Sequence, residues 1–236
     1  MSKRYLFHGG TREMNADGTD RKVGKAHNSA FYFAATNVEK DYKDSEKLFV
    51  KITTAADMVR MINSNTKNSI KSLDIFSHGT PYSLNFSITE NENCGLVTGV
   101  IAKVMLSIHY TTWDDGIYTF SDESKYVSDI DFSKFSDDAR VQIHGCNTAK
   151  GTMPGDTLVE TFSEELFEAG KKKSYVIGHT DKSNPNINGD KTTIKQQDYR
   201  HGERAIYSNG KLVKKTTKEG IIPHDKVQKI LRGIVK

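Results

Sequence analysis

Two dipeptides in the middle of the chain carry side chains that could act together in catalysis. They are His78-Gly79 and Gly145-Cys146. A cysteine becomes a nucleophile when an imidazole takes its proton, and the same imidazole can then protonate a leaving group. The N–H groups of Gly79 and Cys146 could stabilise the oxyanion that forms at an attacked carbonyl. These residues predict acyl transfer with Cys146 as nucleophile and His78 as acid and base.

Each dipeptide follows a stretch with the composition of a buried strand. Residues 72–77 precede His78, and residues 140–144 precede Cys146. The repeated order of strand, helix and strand predicts an α/β fold, with a mostly parallel sheet and helices on both faces. Because the carboxyl ends of parallel strands meet at one edge of a sheet, the two dipeptides can lie close together.

The other predicted elements complete this sheet. We predict helices that begin at the capping residues Thr54 and Thr157, a helical stretch over 95–108 and a final helix over about 224–235. Further strands are predicted at residues 4–8, 29–35, 47–52, 83–88 and 174–178. Residues 1–46 are interpreted as an N-terminal strand or hairpin extension, 47–218 as the main domain and 219–236 as a C-terminal helix.

The last third of the chain is basic. The whole chain has a formal net charge of +4, yet from residue 171 onward it holds 16 Lys and Arg against 6 Asp and Glu. Residues 203–207 and 211–215 flank Asn209-Gly210, a turn sequence that predicts a β-hairpin. Such a segment attracts phosphate groups, although a solvated surface gives the same pattern.

In this order and context the motifs resemble the caspase-like superfamily of cysteine peptidases, clan CD. The run from Cys146 to Gly151, followed by Gly155-Asp156, a helix and Ala169-Gly170, is similar to the CHAT branch. Over about residues 47–218, and including the basic hairpin, the closer resemblance is to the self-processing cysteine protease domain of large clostridial and MARTX toxins.

The resemblance implies peptide-bond hydrolysis by His78 and Cys146, with Gly79 and Cys146 in the oxyanion hole. It also implies that the hairpin is a flap that binds inositol hexakisphosphate as an activator. The toxin domains cleave their own larger chains, whereas this chain begins with Met1, so we expect either another protein or the chain itself as substrate. The phosphate-binding candidates are Arg200, Arg204, Lys211, Lys214 and Lys215, and the candidates for the substrate pocket are His144 and His179.

Two other functions stay open from the sequence. One is a catalytically silent module of the same fold that binds a protein or a phosphate-rich partner. The other is nucleic-acid binding by the basic segment, which the scarcity of interleaved aromatic residues disfavours.

The sequence also bears on metals, membranes and compartment. Cys94 and Cys146 lack the CxxC partners of a zinc site, so no metal is expected. No stretch has the length of a membrane span, and no secretory signal is evident. We therefore expect the protein in a reducing cytoplasm. If it is an effector delivered into a host cell, it would reach that cytoplasm by a route that needs no signal peptide.

Overall fold

The structure is a computed structural model, and it describes residues 2–9, 27–43, 46–86, 88–89, 92–99, 102, 119–120, 123–151 and 156–234. The helices in these ranges are α1 (His27–Glu39), α2 (Ala55–Asn63), α3 (Leu158–Glu168) and α4 (His224–Ile234). The strands are β1 (Lys3–His8), β2 (Glu46–Lys51), β3 (Ile70–Phe76), β4 (His78–Gly79), β5 (Ser83–Asn85), β6 (Ile88–Thr89), β7 (Glu92–Asn93), β8 (Leu96–Val97), β9 (Thr119–Phe120), β10 (Lys125–Tyr126), β11 (Phe135–Ile143), β12 (Tyr175–His179), β13 (Arg204–Ser208) and β14 (Lys211–Thr216).

Seven strands form a central sheet in the order β14-β13-β12-β11-β3-β1-β2. The five strands from β12 to β2 run parallel, whereas β13 pairs antiparallel with both β12 and β14. The fold is therefore α/β with a mixed, mostly parallel sheet, which confirms the predicted class. Two smaller sheets, β10-β8-β5-β4 and β6-β7-β9, are built from short strands.

Helices cover both faces of the central sheet because its strands carry buried apolar residues on both faces, such as Ile75 and Phe76 of β3. On one face Leu73 of β3 and Val141 of β11 pack with α2 and α3 in a single buried cluster. On the other face Leu6 and Phe76 pack under α1. The C-terminal helix α4 covers the same face farther along, over β12 and β13. In the described parts of the chain, no helix is both long and apolar enough to cross a membrane.

Two predictions for the N-terminal part are wrong. Residues 29–35, predicted as a strand, lie within α1, and β1 lies inside the sheet between β2 and β3. The run Phe31-Tyr32-Phe33 has the composition of a strand, but Ala30, Ala34 and Val38 recur with the helical period. These three residues are buried, so burial of this helical face stabilises the segment as a helix and not as a strand.

The predicted helix over 95–108 is also wrong in its first residues, because Leu96–Val97 is β8 and is buried in the second sheet. Residue 102 is helical, and the rest of that stretch lies outside the described residues. The predicted starts of α2 and α3, and the final helix, are confirmed.

The start of α3 links the two loops that carry the dipeptides. Thr157 and Glu160 form the predicted capping box, with the Thr157 N–H donating to Glu160 Oε2 at 2.6 Å. The next two N–H groups donate to carbonyls outside the helix. Leu158 N donates to Pro81 O at 2.7 Å, and Val159 N donates to Thr148 O at 3.3 Å. The free donors of a helix N-terminus therefore hold the loop after β4 and the loop after β11 together.

We predict that Thr157→Ala lowers the free energy of unfolding by about 1 kcal/mol, because the capping oxygen of α3 is lost. Urea denaturation followed by circular dichroism measures this change. Thr157→Ser is the matched control, since it keeps the hydroxyl, and it should lose much less. Equal losses for the two variants would show that the methyl group of Thr157, and not the cap, carries its contribution.

Candidate functional site

The register of the sheet places His78 and Cys146 at the same level. β3 and β11 are neighbouring parallel strands in which Ile75 pairs with Ile143. His78 lies three residues after Ile75, and Cys146 lies three residues after Ile143. Adjacent strands are only about 4.8 Å apart. His78 and Cys146 accordingly line one cavity of about 380 Å³ at the carboxyl edge of the sheet.

The backbones of the two loops are in close contact at this point. A Cβ atom placed on Gly79 would lie 2.9 Å from Thr148 Cγ2 and 3.2 Å from the carbonyl oxygen of Cys146. These distances are too short for a side chain, so glycine at position 79 permits the approach. The loop after β11 turns sharply at Asn147, which has a φ of 58°.

Thr148 fixes this turn against the next strand. Its hydroxyl donates to Gly145 O at 3.2 Å and accepts from the His179 N–H at the same distance. Gly178 lies directly below, where a Cβ atom would lie 2.7 Å from Thr148 Oγ1. The position of Cys146 is therefore set by contacts of Thr148 and Gly178, neither of which carries catalytic chemistry.

Aromatic rings from separate elements form one side of the cavity. Phe31 of α1 stacks on Tyr199 with 5.4 Å between ring centroids, and its edge meets the His78 ring at 5.1 Å. Burial raises the pKa of Tyr199, with a smaller contribution in the same direction from nearby Cys146. Tyr199 is therefore neutral across the physiological range. The aromatic neighbour of the His78 imidazole is Phe31.

Ser183 contacts the Cys146 sulfur through its backbone and its hydroxyl. The Ser183 N–H donates to Sγ at 3.3 Å, and the Ser183 hydroxyl lies 3.4 Å from the same atom. The thiol in turn donates to the Ser183 carbonyl oxygen at 3.6 Å. The segment that follows, Asn184 to Asn186, lines the cavity together with Gln197.

The loop that contains Ser183 is held against α1 at several points. The Asn37 side chain donates to the carbonyl oxygens of Lys195 and Gln197 at 3.0 and 2.9 Å. Arg200 forms ion pairs with Asp198 and with Asp41, which follows α1. The loop and α1 therefore form one wall of the cavity.

These contacts correct the assignment of Arg200 and Arg204 to phosphate binding. Arg200 is engaged by Asp41 and Asp198, and Arg204 is fully buried with its guanidinium donating to the carbonyls of Lys218 and Gly220. Neither is presented at the surface. The other candidates, Lys211, Lys214 and Lys215, are exposed on β14, where Lys215 also pairs with Glu203.

The assignment of His144 and His179 to the substrate pocket is corrected as well. Both are buried in the sheet and neither lines the cavity that Cys146 lines. β11 ends at Ile143 and the chain turns before Cys146, so His144 stays at the sheet while Cys146 lies in the loop. Burial lowers the pKa of both imidazoles well below the usual value, so both are neutral near pH 7.

His144 belongs to a buried network around Asp74 of β3. Its Nε2 lies 3.2 Å from Asp74 Oδ1, and its ring stacks on Phe76 with 4.0 Å between centroids. The other oxygen of Asp74 accepts from the Tyr42 hydroxyl and from Arg140 at 3.4 Å. Burial raises the pKa of Asp74 to about 8. This network joins β3, β11 and the residues after α1.

Sequence reasoning missed the residues that complete the cavity. Ser183 lies in a polar loop without a motif, and Phe31 and Tyr199 come from segments far apart in the chain. Only the helical period around Ala30, Ala34 and Val38 was available as a signal for α1. In the described residues no group of three or more His, Cys, Asp and Glu side chains is arranged to hold a metal ion.

His8 repeats the His-Gly dipeptide at the end of β1, but its ring packs between aromatic side chains. The ring centroids of Tyr32 and Phe49 lie 5.5 and 4.8 Å away. Burial, with a smaller effect of the Lys51 charge, lowers the pKa of His8 to about 4.

We predict that His8 makes the protein less stable in acid. Below about pH 6.5 the unfolded chain takes up a proton at His8, and the folded chain does so only near the lowered pKa, so stability falls through this window. Between about pH 7.5 and about pH 5 the wild type should lose on the order of 1 kcal/mol more than His8→Gln, after allowance for solvent screening. Urea denaturation of both proteins measures the difference, in which other titrating groups cancel. A constant difference would show that His8 is protonated alike in both states.

Comparisons with known proteins add no assignment. No family model, no curated protein and no solved structure matches this chain.

Proposed function

We propose that this protein is a cysteine endopeptidase in which His78 and Cys146 form the catalytic dyad. The observation that carries the proposal is the shared register: the two residues follow paired positions of adjacent parallel strands and line one cavity. The proposed fold relationship is to the caspase-like peptidases, in which a His-Gly and a Gly-Cys sequence end two strands in this chain order.

The proposed reaction has two steps. Cys146 Sγ attacks the carbonyl carbon of the scissile peptide bond, its proton passes to His78, and the tetrahedral intermediate collapses to a thioester as His78 protonates the departing amine. Water then attacks the thioester carbonyl, with His78 taking its proton, and the sulfur leaves as the carboxylic acid product forms. The N–H groups of Gly79 and Cys146 are the proposed donors to the oxyanion.

The surroundings of Cys146 favour this chemistry. The contacts of Ser183 with Sγ hold the sulfur at the cavity, where it can meet a substrate carbonyl. Apart from His78 and Cys146, the cavity is lined by aromatic, small and amide side chains, none of which carries a charge near neutral pH. The cavity therefore favours an uncharged substrate side chain over an acidic or a basic one.

Inositol hexakisphosphate is the proposed activator. The exposed lysines of β14, Lys211, Lys214 and Lys215, could contact its phosphates from the surface, because ammonium groups bind phosphate as point charges. Arg200 and Arg204 are left out of this proposal since their side chains have partners inside the protein.

We predict that Cys146→Ala abolishes peptide cleavage and removes labelling by an iodoacetamide dye, whereas Cys94→Ala leaves both intact. Cys94 is buried and does not line the cavity, while Cys146 is partly exposed. Mass spectrometry of tryptic peptides identifies the labelled cysteine, and a fluorogenic peptide library reports cleavage.

The second arm of this experiment tests the imidazole. His78→Gln should lower cleavage about 100-fold or more, because the acid and base are lost. His8→Gln is the matched control because it changes the histidine of the other His-Gly dipeptide, which does not line the cavity. This variant should cleave peptides as the wild type does. A Cys146 that labels no faster than Cys94, or equal activity of the two histidine variants, would instead favour the catalytically silent binding module.

We predict that inositol hexakisphosphate raises the melting temperature of the protein and that Lys211→Gln with Lys214→Gln weakens its apparent affinity about tenfold or more. Lys226→Gln with Lys229→Gln removes the same charge from α4, where both lysines are exposed, and is the control. Equal effects of the two double variants would mean that only the overall charge attracts the ligand. An activator role further requires that the ligand speed up cleavage.

A further inference from the structure

Three buried basic residues lie side by side across the central sheet, on the face that α1 and α4 cover. His179 of β12 pairs with Arg204 of β13, and the ring of His144 lies on the other side of His179 at 6.5 Å between centroids. The three residues are at most 3% exposed. We refer to His144, His179 and Arg204 as the buried basic row.

Each member of the row has a polar atom without a hydrogen-bond partner in the part of the chain that the structure describes. These atoms are His144 Nδ1, His179 Nε2, and both Nε and Nη1 of Arg204. The two arginine atoms can only donate. Arg140 Nε and Gln142 Nε2, on the same face of neighbouring β11, are likewise buried and unpartnered. Unsatisfied buried donors are costly, and so many on one face point to a group that accepts from them.

The charge of Arg204 leads to the same conclusion. Its described partners are the carbonyl oxygens of Lys218 and Gly220, and no carboxylate in the described ranges lies within 4.0 Å of it. Asp74 is engaged by Tyr42, Arg140 and His144, while Asp198 and Asp41 pair with Arg200. A buried guanidinium without a counter-ion carries a large desolvation cost.

The partner of His144 Nε2 determines which of the two ring nitrogens carries the hydrogen. Asp74 Oδ1 lies 3.2 Å from His144 Nε2, and burial raises the pKa of Asp74, which favours the protonated carboxyl that donates to Nε2. A neutral imidazole carries one hydrogen, which then resides on Nδ1. His144 Nδ1 is therefore a hydrogen-bond donor within the buried basic row.

We propose that the buried basic row binds one small inorganic anion, of the size of chloride, inside the protein. Arg204 would supply the charge, and His179 Nε2 and His144 Nδ1 would supply N–H groups. Because the row carries one guanidinium charge beside two neutral imidazoles, it balances the charge of a single monovalent anion and not that of a polyphosphate. The site is thus distinct from the surface lysines of β14.

A bound anion would hold together elements that position Cys146. The His179 backbone is bonded to Thr148 and Ala149 of the cysteine loop, and Arg204 holds residues 218–220. The proposal does not depend on peptidase activity, since its test measures binding and stability.

The test exchanges the anion at constant ionic strength. The melting temperature of the full chain is measured while sodium gluconate, whose anion is too large for the row, is replaced stepwise by sodium chloride or sodium bromide. We expect a rise that grows with the logarithm of the halide concentration above its Kd and reaches about 5–10 °C when the halide is at about 100 times its Kd. Equal melting temperatures in gluconate and in both halides would overturn the proposal.

Two variants locate the effect. His179→Phe keeps a ring but removes the N–H, and should weaken the apparent halide affinity about tenfold or more, whereas Lys67→Met, in an exposed turn before β3, should respond as the wild type does. If His179→Phe responds fully, the halide acts elsewhere and the proposal is wrong. If that variant does not fold, crystals of the wild type grown in bromide decide: an anomalous peak beside Arg204 and His179 supports the site, and a water molecule there excludes it.

Discussion

The parallel pairing of β3 with β11 is the constraint on which the site depends. Ile75 opposite Ile143 fixes the height at which both chains leave the sheet, so the residues three positions later meet at one edge. A shift of one residue would exchange the two faces of β11 and move the polar side chains of Arg140 and Gln142 into the apolar cluster on the face of α2 and α3. The same hydrophobic burial that stabilises the core therefore sets the distance between imidazole and thiol.

Hydrogen bonds fix the loops that follow β4 and β11. The first N–H groups of α3 bind the carbonyls of Pro81 and Thr148, and Thr148 in turn joins Gly145 to His179. Glycine at positions 79 and 178 lets these segments approach within van der Waals distance. The cysteine loop is consequently fixed by contacts with three elements, as the proposed nucleophilic role of Cys146 requires.

Residues with strong local signals could be predicted from the sequence, and those that depend on distant partners could not. The caps of α2 and α3 and the strands before His78 and Cys146 are determined by neighbouring residues, and the structure has them. α1 was misassigned because Phe31-Tyr32-Phe33 matches strand composition, while its helical face is stabilised by contacts with Leu6 and Phe76. Ser183 and Tyr199 reach the cavity only through the fold of a long loop, which no local pattern encodes.

The basic residues show why charge in a sequence does not reveal its role. Arg200 and Lys214 lie in the same basic segment, yet Arg200 is neutralised by Asp41 and Asp198, and Lys214 is exposed to solvent. Asp41 is far from Arg200 in sequence, so only the packing of the loop on α1 brings them together. Among the described residues, the hydrogen bonds of the buried Arg204 guanidinium go to the carbonyl oxygens of Lys218 and Gly220. The same basic segment therefore places positive charge in two different environments, one buried in the sheet and one exposed on β14.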